Sequence, residues 1–217
     1  MELNQKKINF LGDSITQGCG VDCPENFFTA QIARITGAVC RNYGIGGTRI
    51  ARKTVPSADP IWDRDYLSRV PEMDPDADII MVFGGTNDFG HGDAPLGTMT
   101  DRTEYTFYGA LHLLILALIE KYPAAQIVFM TPLHRLNEDS LINDMGCPVE
   151  TTLNGFRHAI LEVCEYYSVP VLDLFAVSGL QPKVPVIQER YMPDGLHPND
   201  AGHVLLTNKI IGFLKTL

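Results

Sequence analysis

The chain has 217 residues and a formal net charge of −9, with 26 Asp and Glu against 17 Lys and Arg; 45% of its residues are hydrophobic. That length supports one well-buried core and is short for two, and no linker interrupts it, so a single domain over residues 1–217 is expected. The acidic balance disfavours a nucleic-acid or anionic-membrane partner, since either needs clustered basic surface, and the composition is that of an ordinary globular protein.

Residues 1–7 are polar and lead directly into Lys7-Ile8-Asn9-Phe10-Leu11, a predicted buried strand that stops at Gly12-Asp13-Ser14. With no apolar leader and small-residue cleavage site ahead of it, a cytoplasmic location is expected. The carboxyl end of a strand in an open α/β sheet is where ligands sit, which makes Ser14 a candidate functional residue. Asp13 and Ser14 equally suit a turn and the cap of a following helix. Residues 26–36 predict an amphipathic helix through Phe27, Ala30, Ile32, Ala33 and Ile35, stopped by Gly37. A strand at 38–43 then runs into Gly44-Ile45-Gly46-Gly47-Thr48, a loop able to approach a ligand closely or simply to turn, without the spacing of a dinucleotide fingerprint.

Pro56, Pro60 and Pro71 break residues 50–73 into a loop and a short helix at 62–70. Residues 78–83 form a continuous apolar run, as in a parallel strand covered on both faces, and end at Gly84-Gly85-Thr86-Asn87-Asp88. A loop at 89–99 holding His91 precedes a long helix at 102–121. A strand at 125–131, an irregular segment at 134–148, a helix at 151–167, a strand at 169–174 and a loop at 176–192 follow in turn. After Pro193-Asp194-Gly195-Leu196-His197-Pro198-Asn199-Asp200 a final helix runs over 201–217. This alternation predicts an α/β fold with about five parallel strands and helices on both faces.

The apolar stretch 110–119 is too short to cross a bilayer, and no membrane span is expected. Five cysteines, an odd number, suggest free thiols in a reducing compartment. Cys19 and Cys23 are close in sequence, but Cys40, Cys147 and Cys164 supply no second pair, so no metal site is expected.

An ester hydrolase needs a nucleophile, a base, a group that orients the base, and donors for the developing oxyanion. Ser14 suits the first role, His197 the second and Asp194 the third, the last two lying on one short turn around Gly195. The backbone N–H groups of Ser14 and Gly47 and the side-chain amide of Asn87 are the candidate oxyanion donors. Capping explains Asp194, Asn199 and Asp200 as well. Convergence of three polar turns on the ligand-binding edge of one sheet favours the catalytic reading.

The four blocks Gly12-Asp13-Ser14-Ile15-Thr16, Asn42-Tyr43-Gly44-Ile45-Gly46-Gly47, Gly85-Thr86-Asn87-Asp88 and Asp194-Gly195-Leu196-His197 resemble, in order and spacing, those of the SGNH or GDSL hydrolases. The resemblance implies a flavodoxin-like three-layer α/β/α sandwich, with Ser14 as nucleophile, Gly47 and Asn87 as oxyanion partners beside Ser14, Asp194 and His197 completing a triad, and no metal or organic cofactor. It implies a small-molecule ester substrate; the expectation is removal of short acyl groups, such as acetyl, from a carbohydrate or small ester. Lysophospholipase, thioesterase or acyltransferase chemistry on the same residues is the alternative, and a catalytically silent binding module is the alternative of another class. Placement of Ser14 outside a Gly-x-Ser-x-Gly elbow argues against an α/β-hydrolase. Asp13 is read as a turn residue, and His91, Arg49, Trp62 and Tyr191 as residues near the motif loops in position to touch substrate. A homo-oligomer is compatible with the sequence and not specified by it.

Overall fold

In the computed structural model, which describes residues 1–217, the apolar runs are the five strands of one parallel sheet: β1 (Lys7–Gly12), β2 (Val39–Gly44), β3 (Ile79–Phe83), β4 (Gln126–Met130) and β5 (Val171–Leu172). Their order is β2-β1-β3-β4-β5. Gly12 stands beside Gly44 on one side and Phe83 on the other, so the carboxyl ends of the three strands that precede the motif turns are level with one another.

Side chains alternate across the sheet, and each face carries its own core. Ile80 and Val82 of β3 face one layer, which holds α3 (Tyr66–Arg69), α5 (Phe107–Lys121) and α6 (Leu153–Tyr166). Ile79, Met81 and Phe83 face the other, which holds α2 (Phe28–Thr36) and α9 (Asp200–Leu214). The fold is therefore the three-layer α/β/α sandwich that the family resemblance implies, with helices on both faces of the sheet as the alternation predicts. No helix is long and apolar enough to cross a membrane.

The short elements cluster at the carboxyl edge: α1 (Ser14–Gln17) after β1, α4 (Thr86–His91) after β3, α7 (Leu174–Val177) after β5, and α8 (Pro185–Tyr191) ahead of α9. Here local expectations need correction. The stretch 89–99 is not all loop, because α4 continues to His91 while Phe89 packs edge-on against Phe156 of α6, 6.1 Å between ring centroids. The predicted helix at 62–70 is split: Pro60 starts a 3-10 turn over Pro60–Asp63, and Asp65 then caps α3 by accepting the Ser68 N–H at 2.9 Å. The long helix begins at Phe107 rather than 102, since Thr106 caps it through the Gly109 N–H. The strand at 169–174 shrinks to the two residues of β5, a sheet edge, and the loop at 176–192 contains α8, started by Pro185 in the first helical turn.

Arg69, buried on α3, ties this edge together. Its guanidinium donates to the Gly12 carbonyl, the Tyr43 carbonyl and the Thr48 hydroxyl, so the ends of β1 and β2 and the glycine loop share one planar clamp.

Candidate active site

In a sheet of this order the chain leaves β1 in one direction for β2 and returns on the other side for β3, and the loops after β1 and β3 part to leave a crevice. Ser14 follows β1 and Asn87 follows β3, so both stand at that crevice. Asp13 caps α1 by accepting the Ile15 N–H at 3.0 Å. Gly18, at φ 101°, stops the helix after a single turn. Ser14 is thereby held at the first helical position, 9% exposed.

Asp194 and His197 arrive from the far end of the chain on a turn built by the aspartate itself. Asp194 Oδ1 accepts the backbone N–H groups of Leu196 at 2.8 Å and His197 at 2.7 Å. Gly195 between them sits at φ 77°, and a Cβ there would run into Leu136. The other carboxylate oxygen, Oδ2, is 2.7 Å from His197 Nδ1, and His197 Nε2 is 2.9 Å from Ser14 Oγ. A carboxylate only accepts, so the imidazole proton is on Nδ1 and the Nε2 lone pair faces the serine hydroxyl. Burial alone would raise the Asp194 carboxyl, but the hydrogen bonds from His197 and Leu196 outweigh it and hold the group below its ordinary range.

The glycine loop passes beside Ser14. A methyl group on Gly46 would stand 3.6 Å from Ser14 Cβ, and the Gly46 N–H is taken by Gln17 Oε1 at 2.7 Å. The Gly47 N–H, in contrast, has no acceptor in the protein. Gly47 is at φ 76° and the Trp62 indole lies over it, within 2.7 Å of where a Cβ would be. Asn87 donates one amide hydrogen to the Thr48 carbonyl at 3.0 Å, which fixes the amide and leaves its second hydrogen free. Asp88, the next residue, accepts the N–H groups of Ile50 at 3.1 Å and Ala51 at 2.8 Å, pinning the far end of the same loop.

These residues line a cavity of about 490 Å³ that holds Ser14, His197, Gly46, Gly47 and Asn87 on one side. Trp62, His91, Lys53, Asp144 and Met145 form much of the rest. All five residues singled out from the sequence thus meet at one place, Asp194 reaching it through His197. Of the residues near motif loops, Trp62 and His91 line the cavity, Arg49 lies buried behind it and Tyr191 is not part of its wall. Lys53, Asp144 and Met145 carried no signal in the sequence. Asp144 and Met145 come from the irregular segment before α6, where Arg135 at 2.5 Å and the Asn137 amide hold the Asp144 side chain, and the Gly90 carbonyl accepts its N–H at 2.7 Å. No cluster of three or more His, Cys, Asp or Glu side chains has metal-binding geometry, and all five cysteines are free thiols.

Two buried carboxyls under the cavity differ from Asp194. Burial pushes Asp13 up to about 7, aided by the nearby Asp88 and opposed by the Ile15 N–H and Arg69; burial pushes Asp88 up to about 6 against the N–H groups of Ala51 and Ile50. In the unfolded chain both titrate near 3.8. Between the two values the native state binds the extra proton, so native stability falls as pH rises from about 4 toward 7, by at most about 1.4 kcal/mol per pH unit for each group. Asp13→Asn, which keeps a capping oxygen, is expected to flatten urea-derived stability over that window, most clearly above pH 6; an unchanged slope would contradict the assignment. The single tryptophan provides a second check. Gly47→Ala is expected to displace the Trp62 ring, seen as a shifted emission maximum, with a stability cost of about 1–2 kcal/mol for the left-handed backbone; an unshifted spectrum would show that the indole does not depend on Gly47.

The sequence profile of the GDSL-like lipase/acylhydrolase family matches residues 10–205. One crystal structure is 36% identical over 100% of this chain and 99% of its own, with a TM-score of 0.86. A protein from Lactobacillus plantarum is 30% identical over 99% and 98%, with a TM-score of 0.83. The fold is shared with a lipase/acylhydrolase from Enterococcus faecalis at 22% identity, 97% and 96% coverage and a TM-score of 0.66. A salicylyl-acyltransferase from a tetracycline biosynthetic pathway shares it at 21% identity, covering 99% of this chain and 56% of that one, also with a TM-score of 0.66. No curated protein matches. With the profile spanning the sequence from the first strand into the last helix, the chain belongs to the GDSL-like lipase/acylhydrolase family of esterase- and lipase-type hydrolases.

Proposed function

We propose that this chain is a serine ester hydrolase that works through an acyl-enzyme, as one domain, with Ser14, His197 and Asp194 as its catalytic triad. The observation that carries the reading is the continuous row of hydrogen bonds from Ser14 Oγ through His197 to Asp194, at 2.9 and 2.7 Å, on the wall of the cavity. His197 Nε2 takes the proton of Ser14 as Oγ attacks the ester carbonyl, and Asp194 stabilises the imidazolium that forms. The carbonyl oxygen, now negative, accepts from the Ser14 N–H, the unpartnered Gly47 N–H and the free amide hydrogen of Asn87. His197 then protonates the departing alkoxide, the alcohol leaves, and the acyl group remains on Ser14. Water enters, loses a proton to His197, attacks the acyl carbon, and Ser14 departs with that proton as the acid is released.

The substrate in this reading is a short acyl ester, such as an acetyl group, on a carbohydrate or small alcohol. Support comes from the exposed Trp62 ring at the cavity rim and from Ser57, Lys53 and Asp144 beside it, a mix of apolar platform and polar rim that suits a sugar ring. Free thiols favour a reducing compartment, in keeping with work in the cytoplasm. Acyl transfer to an alcohol in place of water is the second reading, favoured by the structural likeness to a salicylyl-acyltransferase; ester products formed in the presence of an alcohol acceptor would establish it.

Hydrolysis of aryl esters of graded acyl length tests the main reading. Ser14→Ala is expected to lose at least about a thousandfold in kcat/KM. Asn87→Ala is expected to lose about a hundredfold to a thousandfold, mainly in kcat, and acetyl esters to exceed octanoyl esters. Full activity in Ser14→Ala would end the proposal, and equal rates on acetyl and octanoyl esters would end its short-acyl part.

A further inference from the structure

The cavity holds a second histidine whose proton is fixed in the opposite sense to that of His197. His91, the last residue of α4, places Nδ1 at 2.9 Å from Arg49 Nη1. A guanidinium carries only donors and keeps its proton, so Nδ1 is the acceptor and the single ring proton of His91 is on Nε2. Arg49 itself cannot swing away. It is 2% exposed, donates to the Trp62 carbonyl at 2.7 Å and pairs with Asp63 at 3.4 Å.

Nε2 of His91 makes no hydrogen bond within the protein and is not fully buried, and the residue lines the cavity. Burial, then the positive charge of Arg49, with Lys53 and Arg135 acting alike and Asp144 opposing, holds the imidazole down to about 4. The ring is therefore neutral at pH 5–8, and its Nε2 has no lone pair with which to take a proton. His91 is a donor where His197 is a base. An N–H fixed from behind, unpartnered and in the same cavity as the reacting serine is complemented by an acceptor oxygen of the ligand.

We propose that His91 is a specificity-determining residue, whose Nε2–H donates to an uncharged hydroxyl or ether oxygen that the substrate carries close to the scissile ester. Arg49 acts through it as the positioning residue. The role rests on the ester-hydrolase reading above. Pairing with that oxygen satisfies the donor, whereas an ester with only hydrocarbon at the same place leaves the donor desolvated and unpaired, a difference of about tenfold or more in kcat/KM.

The test has two arms. Nitrogen-15 NMR of the labelled full-length protein is expected to show His91 as the neutral Nε2–H form throughout pH 5–8; titration near the ordinary histidine range, or the proton on Nδ1, would overturn the proposal. In the second arm kcat/KM is measured on an acetylated methyl pyranoside and on cyclohexyl acetate. His91→Phe, which keeps a ring and removes the donor, is expected to lose about tenfold more on the pyranoside than on the cyclohexyl ester, and His91→Gln, which retains an N–H, to regain part of the difference. Equal losses on the two esters would make His91 a wall residue only and overturn the proposal. Wild-type protein that hydrolyses neither ester and in which Ser14 reacts with no ester would overturn the hydrolase reading itself, and the substrate role of His91 with it, whatever the NMR shows.

Discussion

The hydrogen bond between Ser14 Oγ and His197 Nε2 joins the end of the first strand to the start of the last helix across 183 residues of chain. Most of the structure serves to make that contact a fixed one. The parallel sheet brings the ends of β1, β2 and β3 level, and the core that β3 shares with α2 through Ile79, Met81 and Phe83 holds α9, and with it the Asp194 turn, against the sheet. Asn199 adds a local tether: it caps α9 through the Gly202 N–H while its own N–H and amide reach the carbonyls of Tyr191 and Arg190. A contact between residues so far apart in sequence forms only after the intervening layers have packed, which makes the site a readout of the whole fold.

The glycine loop is treated in the same way, by polar groups in place of apolar ones. Gln17 holds the Gly46 N–H, Arg69 holds the Tyr43 carbonyl and Thr48 hydroxyl, Asn87 holds the Thr48 carbonyl, and Asp88 holds the N–H groups of Ile50 and Ala51. Gly47, between these anchors, keeps an unused N–H. In the proposed mechanism this is the arrangement an oxyanion requires, with donors oriented before charge appears and no reorganisation left for the reaction step. Its cost is the burial of Asp13, Asp88, Arg49 and Arg69 close beneath the cavity, and the raised carboxyl pKa values record that burial.

Elements whose identity depends on local pattern were legible in the sequence. The unbroken apolar run of β3, the glycine stop after α2 and the alternation of strands and helices gave the layered architecture, and the polar turns at Ser14, Gly47 and Asn87 marked the sheet edge that the structure brings together. Elements decided by tertiary packing were not. Gly90 and the glycines after it made α4 look like loop, and only the seat of Phe89 among Phe156 and its neighbours makes the helix worth forming. Asp144 and Met145 could not be seen as cavity wall, because their placement follows from the grip of Arg135 and Gly90 on one irregular segment. The tautomer of His91 is likewise invisible in one dimension, since it is set by an arginine 42 residues away in the chain.

The central claim is that Ser14 is an activated nucleophile, and intact-mass analysis after exposure to a fluorophosphonate probe tests it most directly. The account predicts one adduct per chain on the wild-type protein, mapped to the peptide containing Ser14, and none on Ser14→Ala. A wild-type protein that stays unmodified, or an adduct that persists in Ser14→Ala, would contradict it.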